Sequence, residues 1–192
     1  VPKGELFEKK RAAARKKLLH IASVLVGYEA PDDAVLIATS GRYEFKNKGI
    51  DMYVDALNRL RLHYDGEREI IAFVLVPAWV NEPRADLLER LASGESYRTP
   101  LPDPYITHTL HNMAEDKVVN QIRYCGFPQK PESKLKIIFV PSYLTGNDGI
   151  VDLTYYDTLI GFDATAFPSY YEPWGYTPLE SIAFGVPSVT TD

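Results

Sequence analysis

Hydrophobic positions along this chain alternate between a helical spacing and short unbroken runs. From Glu5 to Val26 the apolar residues Leu18, Leu19, Ala22 and Leu25 or Val26 keep one face, which predicts a helix. Ala34–Thr39 (AVLIAT) is a wholly apolar run bounded by Asp33 and Ser40-Gly41, the pattern of a strand buried on both sides. Asn47–Tyr64 returns to helical spacing through Ile50, Tyr53, Val54, Leu57 and Leu60. Glu69–Val76 is a second buried strand and Glu82–Leu91 a further helix. Ser93–Leu110 has no period, carries Pro and Tyr, and is expected to be an exposed excursion. Beyond it the pattern predicts helix Asn112–Arg123, strand Leu135–Val140, helix Leu153–Leu159, strand Ile160–Phe167, helix Pro178–Phe184 and strand Val186–Thr190.

Strands alternating with helices argue for an α/β fold, a Rossmann-like parallel sheet with helices on both faces. Residues 1–30 are expected to form an N-terminal helical extension or linker, and 31–192 one folded domain. The first half of the leading helix is basic (Lys9, Lys10, Arg11, Arg15, Lys16, Lys17). Such a helix can meet acidic lipid, but the reading adopted is a solvated helix that packs its leucine face.

Composition narrows the function classes. The chain is 45% hydrophobic and 24% charged, a globular balance that excludes long disorder. The net charge of −5 argues against a general nucleic-acid binder. Ile70–Val80, the longest apolar run, is interrupted by Pro77 and is too short to span a bilayer. Val1–Glu8 has no apolar leader segment, and the lone Cys125 permits no internal disulfide and no cysteine-based zinc site. A soluble, cytoplasmic chain with no membrane or nucleic-acid partner is the expectation. The ends, Val1-Pro2 and Thr191-Asp192, read as cuts within a longer protein.

In an open parallel sheet, ligands sit at the carboxyl ends of the strands. That rule selects three loops: 40–48, 141–152 and 168–177. In the first, Gly41 lets the backbone turn, and Arg42 and Lys48 follow six residues apart. A guanidinium pairs bidentately with phosphate oxygens and an ammonium adds a compact charge, so the two suit a diphosphate. Lys48 is placed in the first turn of its helix, where it opposes the macrodipole; this favours a ligand role over a plain surface charge. There is neither GxGxxG nor GxxxxGK[ST], so no dinucleotide fingerprint and no P-loop is present.

The third loop holds Tyr170, Tyr171, Glu172, Trp174, Gly175 and Tyr176. Thr177-Pro178-Leu179-Glu180 has the form of a helix start, with Thr177 as cap and Glu180 as its capping-box partner. Glu172 has no such local role and could bond a sugar hydroxyl. Gly175, Tyr176 and Thr177 fall where backbone N–H groups leave a helix N-terminus, an anion site. Between 151 and 192 there is no lysine or arginine, so cations for a phosphate here must come from Arg42 and Lys48. The aromatics could stack on sugar or base, or could pack around the loop. His108 and His111 are read as loop polarity, not as a metal pair.

SGRYEFKNKG (40–49) and FPSYYEPWGYTPLES (167–181) resemble the two signature segments of the eukaryotic-type glycogen (starch) synthases. Asn120-Gln121-Ile122-Arg123, after His111-Asn112, is similar to a further family helix. The family's fold is the two-domain GT-B architecture, and the resemblance implies its C-terminal, donor-binding half. Under it, Arg42 and Lys48 bind the donor's diphosphate, Glu172 contacts glucose hydroxyls, and Gly175, Tyr176 and Thr177 lie at the phosphate. Tyr171 and Trp174 join the donor site, and Glu180 reaches the ribose. Arg42, Lys48 and Glu172 would be the catalytic set. The implied reaction is retaining transfer of glucose from UDP-glucose, or ADP-glucose, to the 4-hydroxyl of an α-1,4-glucan. It implies no metal and no cofactor beyond the donor, because cationic side chains and a helix dipole neutralise the leaving group. The implied partners are the enzyme's own N-terminal domain and the glucan acceptor; a homo-oligomer is compatible with it. The excursion 93–110 is shorter than expected for the animal and fungal members, which suggests a compact version. Two other readings stay open: a retaining GT-B enzyme with another acceptor, and a non-catalytic module for sugar nucleotide or glucan.

Overall fold

The structure, a computed structural model, describes all 192 residues. Five strands form one parallel sheet: β1 (Val35–Ser40), β2 (Ile70–Leu75), β5 (Leu135–Val140), β6 (Ala164–Phe167) and β7 (Ser188–Thr190), in the order β5-β2-β1-β6-β7. All their pairings are parallel. A two-stranded antiparallel ribbon, β3 (Val80–Pro83) with β4 (His108–Leu110), stands apart from it. The helices are α1 (Gly4–Val26), α2 (Ile50–His63), α3 (Ala85–Ser93), α4 (Lys117–Cys125), α5 (Tyr155–Leu159) and α6 (Tyr176–Ala183). No helix is long and apolar enough to cross a membrane.

The unbroken apolar strands are explained by two cores, one on each face of the sheet. Side chains alternate along a strand, so Ile71, Phe73 and Leu75 of β2 join α1 and α3 on one face. Ile70, Ala72 and Val74 join α2 and α4 on the other. The leading helix packs its apolar face as expected, and Leu18, Ile21 and Leu25 are fully buried in the first core. Three of its six basic residues are held by the protein itself. Lys10 pairs with Asp157 at 2.6 Å, and Arg11 and Arg15 grip Asp163 at 2.8 and 2.9 Å.

Asp163 also accepts the Leu36 N–H at 2.8 Å, so one carboxylate ties α1 to β1. Burial works to raise its carboxyl, but the Leu36 N–H and the Arg15 and Arg11 guanidiniums outweigh that and hold it below the usual Asp range. A depressed folded value means that this stabilisation is complete above the ordinary Asp range. It is lost as pH falls through the lowered value. Asp163→Ala is expected to cost roughly 2–3 kcal/mol at neutral pH, because it strands two guanidiniums and an N–H. The same variant should lose less stability on acidification than the wild type; urea melts at pH 7 and pH 3 measure both effects.

Several expectations need correction. The helix expected over 112–123 is a 3-10 turn (Met113–Glu115) followed by α4 from Lys117. Glu82-Pro83 belong to β3, and the third helix begins only at Ala85. The excursion is not wholly exposed, because Leu101, Tyr105, Ile106, Thr107 and His108 are buried and β4 closes it. Residues 160–163 turn out of α5, and the strand begins at Ala164. Finally, α6 starts at Tyr176 with Gly175 as its cap, in a left-handed conformation (φ 59°) with no side-chain bond. Thr177 is therefore inside the helix and Glu180 is not a capping-box partner; its carboxylate accepts from the Tyr156 hydroxyl at 3.0 Å.

Candidate functional site

Strand order locates the cleft. From β1 the chain moves outward through β2 to β5, then crosses back to place β6 and β7 on the other side of β1. The direction of winding therefore reverses between β1 and β6, which opens a crevice at their carboxyl ends. Loop 40–49 leaves β1 there and loop 168–175 leaves β6.

The two loops are fastened to each other. Tyr170 donates its N–H to Asn47 O at 2.9 Å. Gly49, in a left-handed conformation (φ 64°), lies so close to Pro168 that an added Cβ would sit 1.8 Å from its carbonyl oxygen. The Lys48 ammonium pairs directly with the Glu172 carboxylate. Lys48 precedes α2 and is not in its first turn, because Gly49 is the cap. That leaves the side chain free to turn toward the cleft, where it is only 18% exposed.

Six of the residues singled out from sequence line one cavity of about 340 Å³: Arg42, Lys48, Glu172, Trp174, Tyr176 and Thr177. Gly175 lines an adjoining cavity with Glu172 and Thr177. Tyr171 and Glu180 line neither, so the structure does not bring them to this set. Arg42 is 80% exposed, and its one carboxylate partner is Glu44 at 2.9 Å. Glu172 is held below the ordinary carboxylate range, first by the hydrogen bond from Lys48 and further by the Gly175 N–H and the Arg42 charge. It is ionised at neutral pH. The cavity thus offers two cations, a carboxylate and the first turn of a helix, whose dipole favours anions.

Packing does not explain the loop's aromatics. Tyr170, Tyr171, Trp174 and Tyr176 are all more than 60% exposed. Of these, Trp174 and Tyr176 line the charged crevice and are available for stacking there.

The sequence pointed to loop 141–152 without naming residues in it. That loop contributes Tyr143, Leu144 and Thr145 to a second cavity, of about 480 Å³, which shares Ser40, Gly41, Arg42 and Thr177 with the first. Leu75, Pro77 and Tyr155 complete its apolar wall. Ser40 and Tyr155 share a 2.7 Å hydrogen bond, and burial pushes the Tyr155 phenol up to about 12. The signal for these residues was positional: Tyr143 and Leu144 follow β5 by three and four residues. The histidines serve separate ends. His108 is buried and bonded through Nε2 to Asp148 O at 2.9 Å, whereas His111 lies exposed against Trp79.

Comparison with known proteins identifies the family. A family model described as glycogen synthase matches residues 25–99 and 91–192, and its two pieces meet at the start of the 93–110 excursion. Glycogen [starch] synthase isoform 2 of Saccharomyces cerevisiae is 33% identical over 221 aligned positions, covering 84% of this chain and 31% of the relative. Glycogen [starch] synthase of Neurospora crassa is 31% identical, covering 84% and 30%. The liver glycogen [starch] synthase of Homo sapiens is 27% identical, with the same coverage. The chain spans about a third of the length of the curated relatives it matches. The 221 positions of the yeast alignment exceed the chain's own 192 residues, so the alignment must open gaps in this chain. A family match over most of the sequence, on a parallel sheet whose reversal point carries both signature loops, establishes that the chain belongs to the glycogen synthase family.

Proposed function

We propose that this chain is the donor-binding half of a GT-B glucosyltransferase, which moves glucose from a nucleoside-diphosphate glucose to an α-1,4-glucan with retention of configuration. The observation that carries the reading is the joining of Arg42, Lys48 and Glu172 in one crevice at the strand-order reversal. Each residue has a part in the chemistry. Arg42 takes the outer phosphate, where charge grows as the glucosyl bond breaks. The donor's diphosphate draws Lys48 from Glu172, and the released carboxylate accepts hydroxyls of the glucose. The first N–H groups of α6, at Tyr176 and Thr177, close on the phosphates. The apolar cavity between Tyr143, Leu144 and Tyr155 receives the base. The family favours uridine there.

Bond changes balance without a further reagent. The bond from glucose C1 to the phosphate oxygen breaks, the bond from C1 to the acceptor O4 forms on the same face, and the O4 proton passes to the departing diphosphate. Glu172 is therefore not half of a glycosidase acid–base pair, which would need a second carboxyl across the scissile bond. The remainder of the enzyme's length would supply the acceptor half of the cleft.

The test is product stereochemistry in the full-length enzyme. With UDP-glucose and maltoheptaose, proton NMR of the first product should show a new α-anomeric linkage and stoichiometric UDP. A β-linkage would rule out the retaining front-face course. Free glucose in place of elongated glucan would make the protein a hydrolase.

A further inference from the structure

We infer that a separate cavity, outside the donor crevice and its apolar extension, is a binding subsite for a glucan chain, with Trp79 as its stacking platform. The identity of the sugar as α-1,4-glucan rests on the function proposed above; the site itself rests on different residues. The cavity holds about 350 Å³, within the ~300–1,000 Å³ usual for small-ligand sites. Tyr43, Phe45, Trp79 and Leu110 give it an apolar side, and Asn112, Glu115 and Asp116 a polar one.

Trp79 is the anomaly that needs an explanation. It is one of two tryptophans in the chain and is 72% exposed. Its ring lies against His111, with centroids 5.0 Å apart and planes inclined by 36°. The backbone holds this pair in place, because His111 donates its N–H to Trp79 O at 3.0 Å beside the Val80–Leu110 pairing of the ribbon. The β3–β4 ribbon thus presents a supported indole to solvent, which a purely structural tryptophan would not need.

The facing wall is equally fixed. The Tyr43 hydroxyl donates to Asp116 at 2.9 Å and accepts the Val118 N–H at 3.2 Å, while Asp116 caps α4 through the Val119 N–H at 2.8 Å. Asn112 is bonded to Glu115 at 2.7 Å, with its amide oxygen free to accept from a hydroxyl. A pyranose presents a face of C–H groups and a rim of hydroxyls. An indole plane edged by carboxylates and an amide is complementary to it. A phosphate-bearing ligand is disfavoured, because Glu115 and Asp116 outnumber the one cation, Lys117.

Position suits a chain longer than one sugar. Tyr43 lines both this cavity and the apolar end of the donor crevice. Phe45 and Lys117 also line a groove of about 700 Å³ between α2 and α4, together with Tyr124 and Tyr170. Tyr170 belongs to the signature loop itself. A glucan held on Trp79 therefore lies alongside both catalytic loops, and the site would keep polymer close to the crevice between transfers.

The test is titration of the full chain with maltoheptaose, followed by tryptophan fluorescence and calorimetry, with UDP titrated in parallel. Wild type should bind maltoheptaose saturably with a change in indole emission. Trp79→Ala should weaken that binding about tenfold or more, the loss expected of one stacking ring, and leave UDP affinity unchanged. Trp79→Phe, which keeps a ring, should restore most of it. Trp79 is exposed, so neither variant threatens the fold. Unchanged maltoheptaose affinity in Trp79→Ala, or no maltoheptaose binding by a chain that binds UDP, would overturn the subsite. Equal binding of cellohexaose would overturn the α-glucan assignment. Maltoheptaose binding that depends on Trp79 in a chain that fails to bind UDP would uphold the subsite and count against the donor reading alone.

Discussion

Arg42→Ala in the full-length enzyme is expected to lower kcat by about 10²–10³-fold, the loss typical when one preorganised group that meets transition-state charge is removed. Little of that loss can come from the fold. The Arg42 side chain is 80% exposed and its one carboxylate partner is Glu44. Surface pairs of this kind contribute about 0–1 kcal/mol, so the melting temperature should hardly move. On the proposed mechanism the phosphate gains charge as the glucosyl bond breaks, so Arg42 would bind the transition state more tightly than the bound donor. The effect should therefore fall on kcat more than on KM. Arg42→Lys should recover only part of the rate, since an ammonium restores the charge but not the two-pronged contact. Steady-state kinetics on the three proteins separates a catalytic guanidinium from one that merely adds affinity. A few-fold change in kcat would remove Arg42 from the chemistry.

Gly49→Ala should damage both stability and the site. Two penalties combine at this position. The left-handed backbone (φ 64°) costs any L-residue about 1–2 kcal/mol. The new Cβ would also stand 1.8 Å from the Pro168 carbonyl oxygen, a contact relieved only by moving backbone. Overpacking of this kind adds about 1–3 kcal/mol, for a total of roughly 2–5 kcal/mol. The moving backbone is loop 168–175, so Glu172 would be displaced from Lys48 and nucleotide affinity should fall as well. Gly94→Ala is the matched control. It has a similar φ of 68° and nothing within 4 Å of its Cβ position, so it isolates the conformational cost. Urea denaturation of the two variants should differ by the cost of the clash. Equal losses would mean that loops 40–49 and 168–175 are not packed as described.

Much of this arrangement was legible because the strongest signals are local. Buried parallel strands appear as unbroken apolar runs, and β1, β2 and β5 were readable within a residue or two for that reason. The signature loops were readable because chemistry and glycine fall together in short segments. Signals that depend on distant partners were not. Lys136, the second residue of β5, is fully buried and is tolerated only because Glu69, the carbonyls of Pro131 and Ser133, and the Tyr28 ring converge on it. Burial pulls its ammonium below the usual lysine range, although Glu69 opposes this. The β3–β4 ribbon was missed because its strands are short and 24 residues separate them, with Pro83 in one.

The start of α6 shows how local grammar can mislead. Thr177-Pro178-Leu179-Glu180 has the spacing of a capped helix, yet the backbone turns two residues earlier at Gly175. The side-chain cap is dispensed with, and Tyr176 and Thr177 of the first helical turn line the crevice. Glu180 is then available for the Tyr156 hydroxyl across from α5. The residues of the apolar cavity, Tyr143, Leu144 and Tyr155, lay outside any motif. Only the sheet order, which brings the ends of β1, β2 and β5 together with α5, assembles them.

Calorimetric titration of this chain with UDP and with ADP, on wild type and Arg42→Ala, tests the central claim most directly. The account predicts saturable one-to-one binding of a nucleoside diphosphate, stronger for UDP, and weakened about tenfold or more by the substitution, as expected for loss of a charge-assisted phosphate contact. Binding that survives Arg42→Ala unchanged, or no heat with either nucleotide, would contradict the assignment of this crevice to the donor.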